Sequence, residues 1–251
     1  MSEEFAGKVV LVTGAASGLG RATALKLSAA GATLALTDLN HTGLSDTEAL
    51  IAERTAPVFT VDGDISEPAN CARVVGAALA RFGRLDVLLN IAGVLDFHRL
   101  AQVTPADWNR LLACNLTAPL FMIQSAMPHL IAAKGNVVNV ASTASFLGQA
   151  YTAPYAATKA GVLSLTRSLA MEFVHEPVRI NAVAPGGMKT PLALTARFGD
   201  DMDQSLIYRY AGLRSMTEPE DVAEVILFLA SGRARAIHGA CYLVDQGTTA
   251  G

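Results

Sequence analysis

Ser142, Tyr155 and Lys159 are the residues of this chain whose types and spacing can do chemistry. Thirteen positions separate Ser142 from Tyr155, and Tyr155 stands four before Lys159 in the string Tyr155-Ala156-Ala157-Thr158-Lys159. On a helix, residues four apart share a face, so this phenol and this ammonium would point the same way. A serine ending the preceding strand could face the same point. An ammonium beside a phenol favours the phenolate: free tyrosine titrates near ~10, and each unit of lowering is worth about 1.4 kcal/mol. Such a phenolate can take the proton of an alcohol, while a serine hydroxyl steadies the oxygen on which charge develops.

These groups need a scaffold that brings strand ends and one helix together. Short apolar runs alternate with longer amphipathic segments, the pattern of βαβ units around a parallel sheet. Seven runs read as strands: Lys8–Thr13, Thr33–Thr37, Ala56–Val61, Asp86–Asn90, Asn136–Ala141, Arg179–Ala184 and Ala240–Val244. Several are continuously apolar, as strands covered on both faces must be. Helices are expected to begin near Gly18, Gly43, Glu67, Pro105, Thr152 and Pro219, and the acidic residues after Pro219 suit a helix first turn. At 251 residues the chain suits one α/β domain over 1–251, doubly wound, with about seven parallel strands and helices on both faces. From Pro185 to about Thr217 no period is visible. A stretch that long is more often a functional cover than a connection. Segment 186–217 is therefore expected to close over a substrate, with Leu192, Leu194, Phe198, Leu206, Ile207 and Tyr208 facing it.

The first expected strand runs into Thr13-Gly14-Ala15-Ala16-Ser17-Gly18-Leu19-Gly20. Glycines at a strand-to-helix turn let the backbone approach a pyrophosphate, and the helix N-terminus adds free N–H groups and a positive dipole end. The second strand ends at Thr37-Asp38. An acidic side chain there accepts from the adenosine ribose hydroxyls and repels a 2′-phosphate, which favours NAD over NADP.

With these residues in view, the chain resembles the short-chain dehydrogenase/reductase family from Lys8 to Gly247. Thr13-Gly14-x-x-x-Gly18-x-Gly20 fits the family's cofactor turn, and Asp64-Ile65 fits its adenine-side acidic dipeptide. Asn90-Ile91-Ala92-Gly93 is similar to N-N-A-G, with Ile91 in place of the second Asn. Asn115, Ser142, Tyr155 and Lys159 fall where the family places its catalytic tetrad, and Pro185-Gly186 with Thr190 matches its nicotinamide-side segment. Val244-Asp245-Gln246-Gly247 departs, at Gln246, from an ending in two glycines.

The resemblance implies a Rossmann-type fold and hydride transfer between NAD(H) and a secondary alcohol or ketone. Tyr155 would be the base in oxidation and the acid in reduction, and Lys159 would also hold the nicotinamide ribose. Asn115, in an expected uncharged helix Leu111–Ala126, would hold a water linking Lys159 to solvent. Cofactor contacts are expected from Gly14, Ser17, Gly18, Leu19, Gly20, Asp38, Leu39, Asp64, Ile65, Asn90, Ala92, Gly93, Tyr155, Lys159, Pro185, Gly186, Met188 and Thr190. Substrate contacts are expected from Leu95, Ser142, Ala144, Gln149 and Tyr155. The same motifs serve 3-oxoacyl-(acyl-carrier-protein) reductases, the alternative reading, although Asp38 weighs against the NADPH preference usual there. A non-catalytic NAD-binding regulatory module is the non-enzyme alternative, and the complete tetrad argues against it.

Composition removes other classes. A formal charge of −3 offers no basic patch for nucleic acid. Leu111–Ala133 is long enough to span a membrane, but it carries Asn115, Gln124 and two prolines, so burial fits better. Met1-Ser2-Glu3-Glu4-Phe5 has no basic or apolar leader character, which points to the cytoplasm. Cys71, Cys114 and Cys241 form no C-x-x-C pattern and read as small core residues, and the five histidines show no metal-binding spacing, so no metal is expected. G-x-S-x-G and G-x-x-x-x-G-K-[S/T] are absent, which excludes the common serine hydrolase and P-loop classes. With 51% hydrophobic and only 16% charged residues, much surface is expected to be covered by other subunits, and the family commonly forms homotetramers.

Overall fold

Val9, Val10, Leu11 and Val12 are each at most 5% exposed, as a central parallel strand requires. In the computed structural model, which describes residues 4–52, 57–196, 198–212 and 214–250, they form β1 (Val9–Thr13). Met1, Ser2, Glu3, Ala56 and Gly251 lie outside the described residues, as do Arg197 and Leu213 within segment 186–217. The remaining strands are β2 (Thr33–Asp38), β3 (Val58–Asp62), β4 (Val87–Asn90), β5 (Asn136–Val140), β6 (Arg179–Pro185) and β7 (Cys241–Val244). All pairings are parallel, in the order β3-β2-β1-β4-β5-β6-β7. The strand order reverses between β1 and β4. At such a switch point the connections leave to opposite sides, opening a crevice at the carboxyl ends of the strands.

Helices α1 (Gly18–Ala29), α2 (His41–Ala52), α3 (Pro68–Phe82), α4 (Pro105–Leu112), α5 (Ala118–Ala133) and α6 (Ala153–Glu172) follow in chain order. Two short helices, α7 (Pro191–Leu194) and α8 (Gln204–Tyr208), interrupt the segment expected to be irregular, and α9 (Pro219–Ala230) follows it. Helices α1, α2 and α9 bury one face of the sheet through Leu19, Leu27, Leu44 and Ile226. Helices α3 and α5 bury the other through Val74, Ala78, Met122 and Leu130. The run Pro105–Ala133 has the length and mean hydropathy, 1.3, of a spanning helix, but α5 packs Met122, Ile123, Ala126 and Leu130 into the core.

The helix expected over Leu111–Ala126 lies within the longer run Pro105–Ala133, which is not regular: α4 ends at Leu112, a π-turn runs over Ala113–Thr117, and α5 continues to Ala133. The cause is tertiary. Asn115 turns its amide onto the backbone of Val94, accepting from the Val94 N–H at 2.8 Å and donating to its carbonyl at 2.9 Å. A π-turn inserted in a helix re-aims one side chain in this way.

Candidate active site

The switch point is built from close backbone approaches. Thr13 Oγ1 accepts from the N–H groups of Ile91 and Ala92 at 3.0 and 3.1 Å and donates to the Leu89 carbonyl at 3.3 Å, tying the end of β1 to the loop after β4. Gly14 has φ 71°, and a Cβ there would lie 2.8 Å from Ala92 Cα. A Cβ on Gly20 would fall on the Gly14 carbonyl. Neither position accepts a side chain. Helix α1 begins at Gly18, and Ser17 before it makes no side-chain cap, so the first-turn N–H groups keep no partner from that side chain. At the end of β2, Asp38 accepts from Ala16 N and Asn40 N, both at 2.9 Å. The buried Thr37 hydroxyl, on the same wall, has no partner.

These residues line a cleft of about 590 Å³ that runs along the carboxyl ends of the strands. One end is walled by Asp38, Leu39, Asp64 and Ile65, and the other by Ser142, Tyr155, Lys159, Pro185, Gly186, Met188 and Thr190. The residues fit a dinucleotide: a glycine-only cradle at a helix N-terminus for phosphates, and a carboxylate with an orphaned hydroxyl on the adenosine side.

At the second end, α6 carries Tyr155 and Lys159 on one face, and Ser142 follows β5. Lys159 is 5% exposed, and its Nζ donates to the Val140 carbonyl at 2.8 Å. That nitrogen lies 5.9 Å from the centre of the Tyr155 ring. A Cβ on Gly93 would come within 3.4 Å of Lys159 Nζ and 3.2 Å of Asn115 Oδ1, so the three residues crowd together. Asn115 Nδ2 donates also to Thr158 Oγ1 at 3.2 Å, and Thr158 donates to the Tyr155 carbonyl at 2.7 Å. Both Asn115 amide hydrogens are thus engaged, which leaves an Oδ1 lone pair or the turn's backbone for the expected water.

The electrostatics depart from the simple expectation. Burial pushes the Tyr155 phenol above its ordinary pKa, and Ser142 pulls it only partly back. Burial also lowers Lys159 from 10.5 to about 8, opposed by Cys114. Burial is the largest cause for both groups, and the ammonium donates to the Val140 carbonyl.

Nearly all the expected cofactor residues line the cleft. Asn90 does not: its side chain donates to Asn139 Oδ1 at 2.9 Å, and Asn139 donates to Thr166 on α6 at 3.0 Å. This buried amide chain holds α6 against β4 and β5. Of the expected substrate residues, Ser142 and Tyr155 line the cleft, whereas Leu95, Ala144 and Gln149 do not, and Gln149 donates to Thr143 Oγ1 at 3.3 Å. Of the expected cover residues, Leu192 lines the cleft and Ile207 is buried, while Leu194 and Tyr208 are exposed.

Sequence reasoning missed Cys114 and Arg110, which also line the cleft. They lie four apart across the π-turn, and Arg110 pairs with Asp96. Cys114 is therefore a wall residue, its thiol raised by burial and drawn back by Lys159. One possible metal-ligand group exists among the described residues, Asp96, His98 and Asp107, with ligand atoms within 4.8 Å of one another. Asp96 is paired with Arg110, however, and Asp107 bonds Thr104 at the start of α4.

Comparison with known proteins places this geometry among oxidoreductases. A family model described as enoyl-(acyl carrier protein) reductase matches residues 14–249. Cis-4-hydroxycyclohexanecarboxylate dehydrogenase of Sinomonas cyclohexanicum is 38% identical over 252 residues, covering 100% of both chains. Meso-2,3-butanediol dehydrogenase of Serratia marcescens is 35% identical, covering 98% of this chain and 96% of its own. Among solved structures, a short-chain dehydrogenase from Mycobacterium paratuberculosis bound to NAD superposes with a TM-score of 0.89 at 26% identity, covering 99% of this chain and 100% of that one.

Proposed function

The chain belongs to the short-chain dehydrogenase/reductase family, and from that premise we propose that it moves a hydride between NAD(H) and a secondary alcohol or ketone, with Tyr155 as the acid–base group. The observation that carries this reading is the convergence of Ser142, Tyr155 and Lys159 with the Gly14–Gly20 turn on one cleft at the β1/β4 switch point. In oxidation, the alcohol O–H proton passes to the Tyr155 oxygen as a hydride leaves the carbinol carbon and the C–O bond becomes a carbonyl. Bound NAD⁺ supplies the hydride acceptor and a positive ring charge. Ser142 would donate to the substrate oxygen, and Lys159 would hold the ribose and keep a positive charge beside the phenolate. Asn115 ties Val94 to Thr158 on α6, and Thr158 donates to the Tyr155 carbonyl.

Asp38 supports NAD over NADP, and with it an alcohol dehydrogenase over an NADPH-dependent carrier-linked reductase. The relatives act, by name, on cyclic and vicinal alcohols, which makes small secondary alcohols the first substrates to test. The segment 186–217 would cover them within the one domain spanning 1–251. Following absorbance of reduced nicotinamide with NAD⁺ and NADP⁺ against cis-4-hydroxycyclohexanecarboxylate and meso-2,3-butanediol tests the reading. Tyr155→Phe should retain NADH binding and lose turnover by ~10²-fold or more, and unchanged turnover would sink the mechanism.

Exposed apolar side chains support packing between copies: Trp108 on α4, Leu120 on α5, Met171 on α6, and Tyr242 and Leu243 on β7. A stable monomer by light scattering would refute the homotetramer.

A further inference from the structure

Three parts of the chain that are distant in sequence meet at Tyr151. Its backbone has φ 67°, a left-handed conformation that a bulky residue holds only when its surroundings impose it. The Tyr151 carbonyl accepts from His98 N at 2.8 Å, and its hydroxyl accepts from Asp203 N at 2.9 Å. The Arg99 guanidinium lies over its ring, 5.9 Å from the centroid. Arg99 Nε in turn pairs with Asp201 Oδ2 at 2.7 Å. Alongside, Tyr210 donates to the Ala150 carbonyl at 3.0 Å, and the Phe97 and Phe198 rings pack at a tilt with centroids 4.4 Å apart.

The ends of the same segment are fixed independently. Met188 and Thr217 form a parallel bridge, in which Lys189 N donates to the Thr217 carbonyl at 3.0 Å and Thr217 N to the Gly187 carbonyl at 2.9 Å. Lys189 and Glu218 pair beside it. The middle of the segment, pinned at both ends, is held by the contacts around Tyr151 and by the burial of Met202 and Ile207. Thr152 follows, and its carbonyl accepts from Ala156 N at 2.8 Å, so the fastening lies one helical turn from Tyr155.

We infer that Tyr151 is a positioning residue that fastens the 186–217 segment down beside the catalytic tyrosine, its hydroxyl setting how often the cover is shut. This rests on the reading of that segment as the substrate cover. Losing one neutral hydrogen bond shifts a closed-to-open equilibrium by about twofold to tenfold.

Tyr151→Phe keeps the ring beneath Arg99 and removes only the hydroxyl. With saturating NADH present, trypsin should cut the variant about twofold to tenfold faster at the exposed Arg209 and Arg214, because cleavage follows the open population when closing is fast. NADH affinity, read by its fluorescence, should not change. With meso-2,3-butanediol as the probe, KM should rise by no more than that factor, and by less the more the closed form predominates, while kcat changes by less than about twofold. Equal cleavage rates for the two proteins would overturn the inference, as would a parallel loss of NADH binding, which marks a general loosening. If wild-type protein oxidises no alcohol but the cleavage difference stands, the proposed reaction fails and the fastening survives.

Discussion

Replacing Lys159 by methionine should make the protein more stable at pH 7 and less stable above about pH 10. In the fold, Lys159 is 5% exposed and its pKa falls from 10.5 to about 8. The sign follows from proton counting. Between pH 8 and 10.5 the unfolded chain holds a proton on this lysine that the folded chain has lost, so stability rises with pH across that window. Below pH 8 the folded state must keep a charged, desolvated ammonium, and a shift of this size corresponds to ~3 kcal/mol of destabilisation. Methionine removes that burden. It also leaves the Val140 carbonyl without its 2.8 Å donor, a loss of about 1–2 kcal/mol. The net at pH 7 is a gain of about 1–2 kcal/mol, or ~2–8 °C in Tm for a chain of this size. Above pH 10.5 only the lost hydrogen bond remains, and the order reverses. Urea unfolding of cofactor-free wild type and Lys159→Met at pH 7, 9 and 10.5 measures the crossing. A stability difference that stays constant across those pH values would refute the reasoning, because it would mean that Lys159 titrates alike in the folded and unfolded chains.

Ser142→Ala should lower kcat about 10²- to 10³-fold by removing a donor to the developing charge, with NADH affinity unchanged; a loss confined to KM would remove Ser142 from the chemical step. Asp38→Ser should raise kcat/KM for NADP⁺ at least tenfold, measured with both cofactors, and a wild type that already prefers NADP⁺ would overturn the role given to Asp38. Gly20→Ala should abolish NADH binding or the fold itself, because its Cβ would sit on the Gly14 carbonyl; near-normal NADH affinity would show that the turn yields. Burial raises the Tyr155 phenol, so the oxidation rate should climb with pH as the phenolate fraction grows, while reduction, which uses the phenol, should stay level until the phenol itself titrates. A flat oxidation profile from pH 6 to 10 would count against Tyr155 as the base.

The groups proposed to do the chemistry were legible because their geometry is local. Tyr155 and Lys159 share a helix face by spacing alone, and the glycines announce their turn because no other residue fits between Gly14 and Ala92. The strands stood out because runs such as Val9–Val12 are buried on both faces, and their ends shifted by only one or two residues. What stayed hidden depends on partners remote in the chain. Nothing near Asn115 foretells that its amide will seize Val94 and that a π-turn will sit between α4 and α5. Nothing near Asn90 shows that it will bond Asn139 rather than face the cleft. The left-handed backbone of Tyr151 has no local cause, since it answers to His98 and Asp203. The electrostatics of the pair were only half legible. Spacing puts an ammonium beside a phenol and predicts a lowered phenol pKa, but that argument assumes a solvated pair. The fold buries both, and desolvation, a property of the whole packed layer around α6, outweighs the neighbour that the spacing supplied.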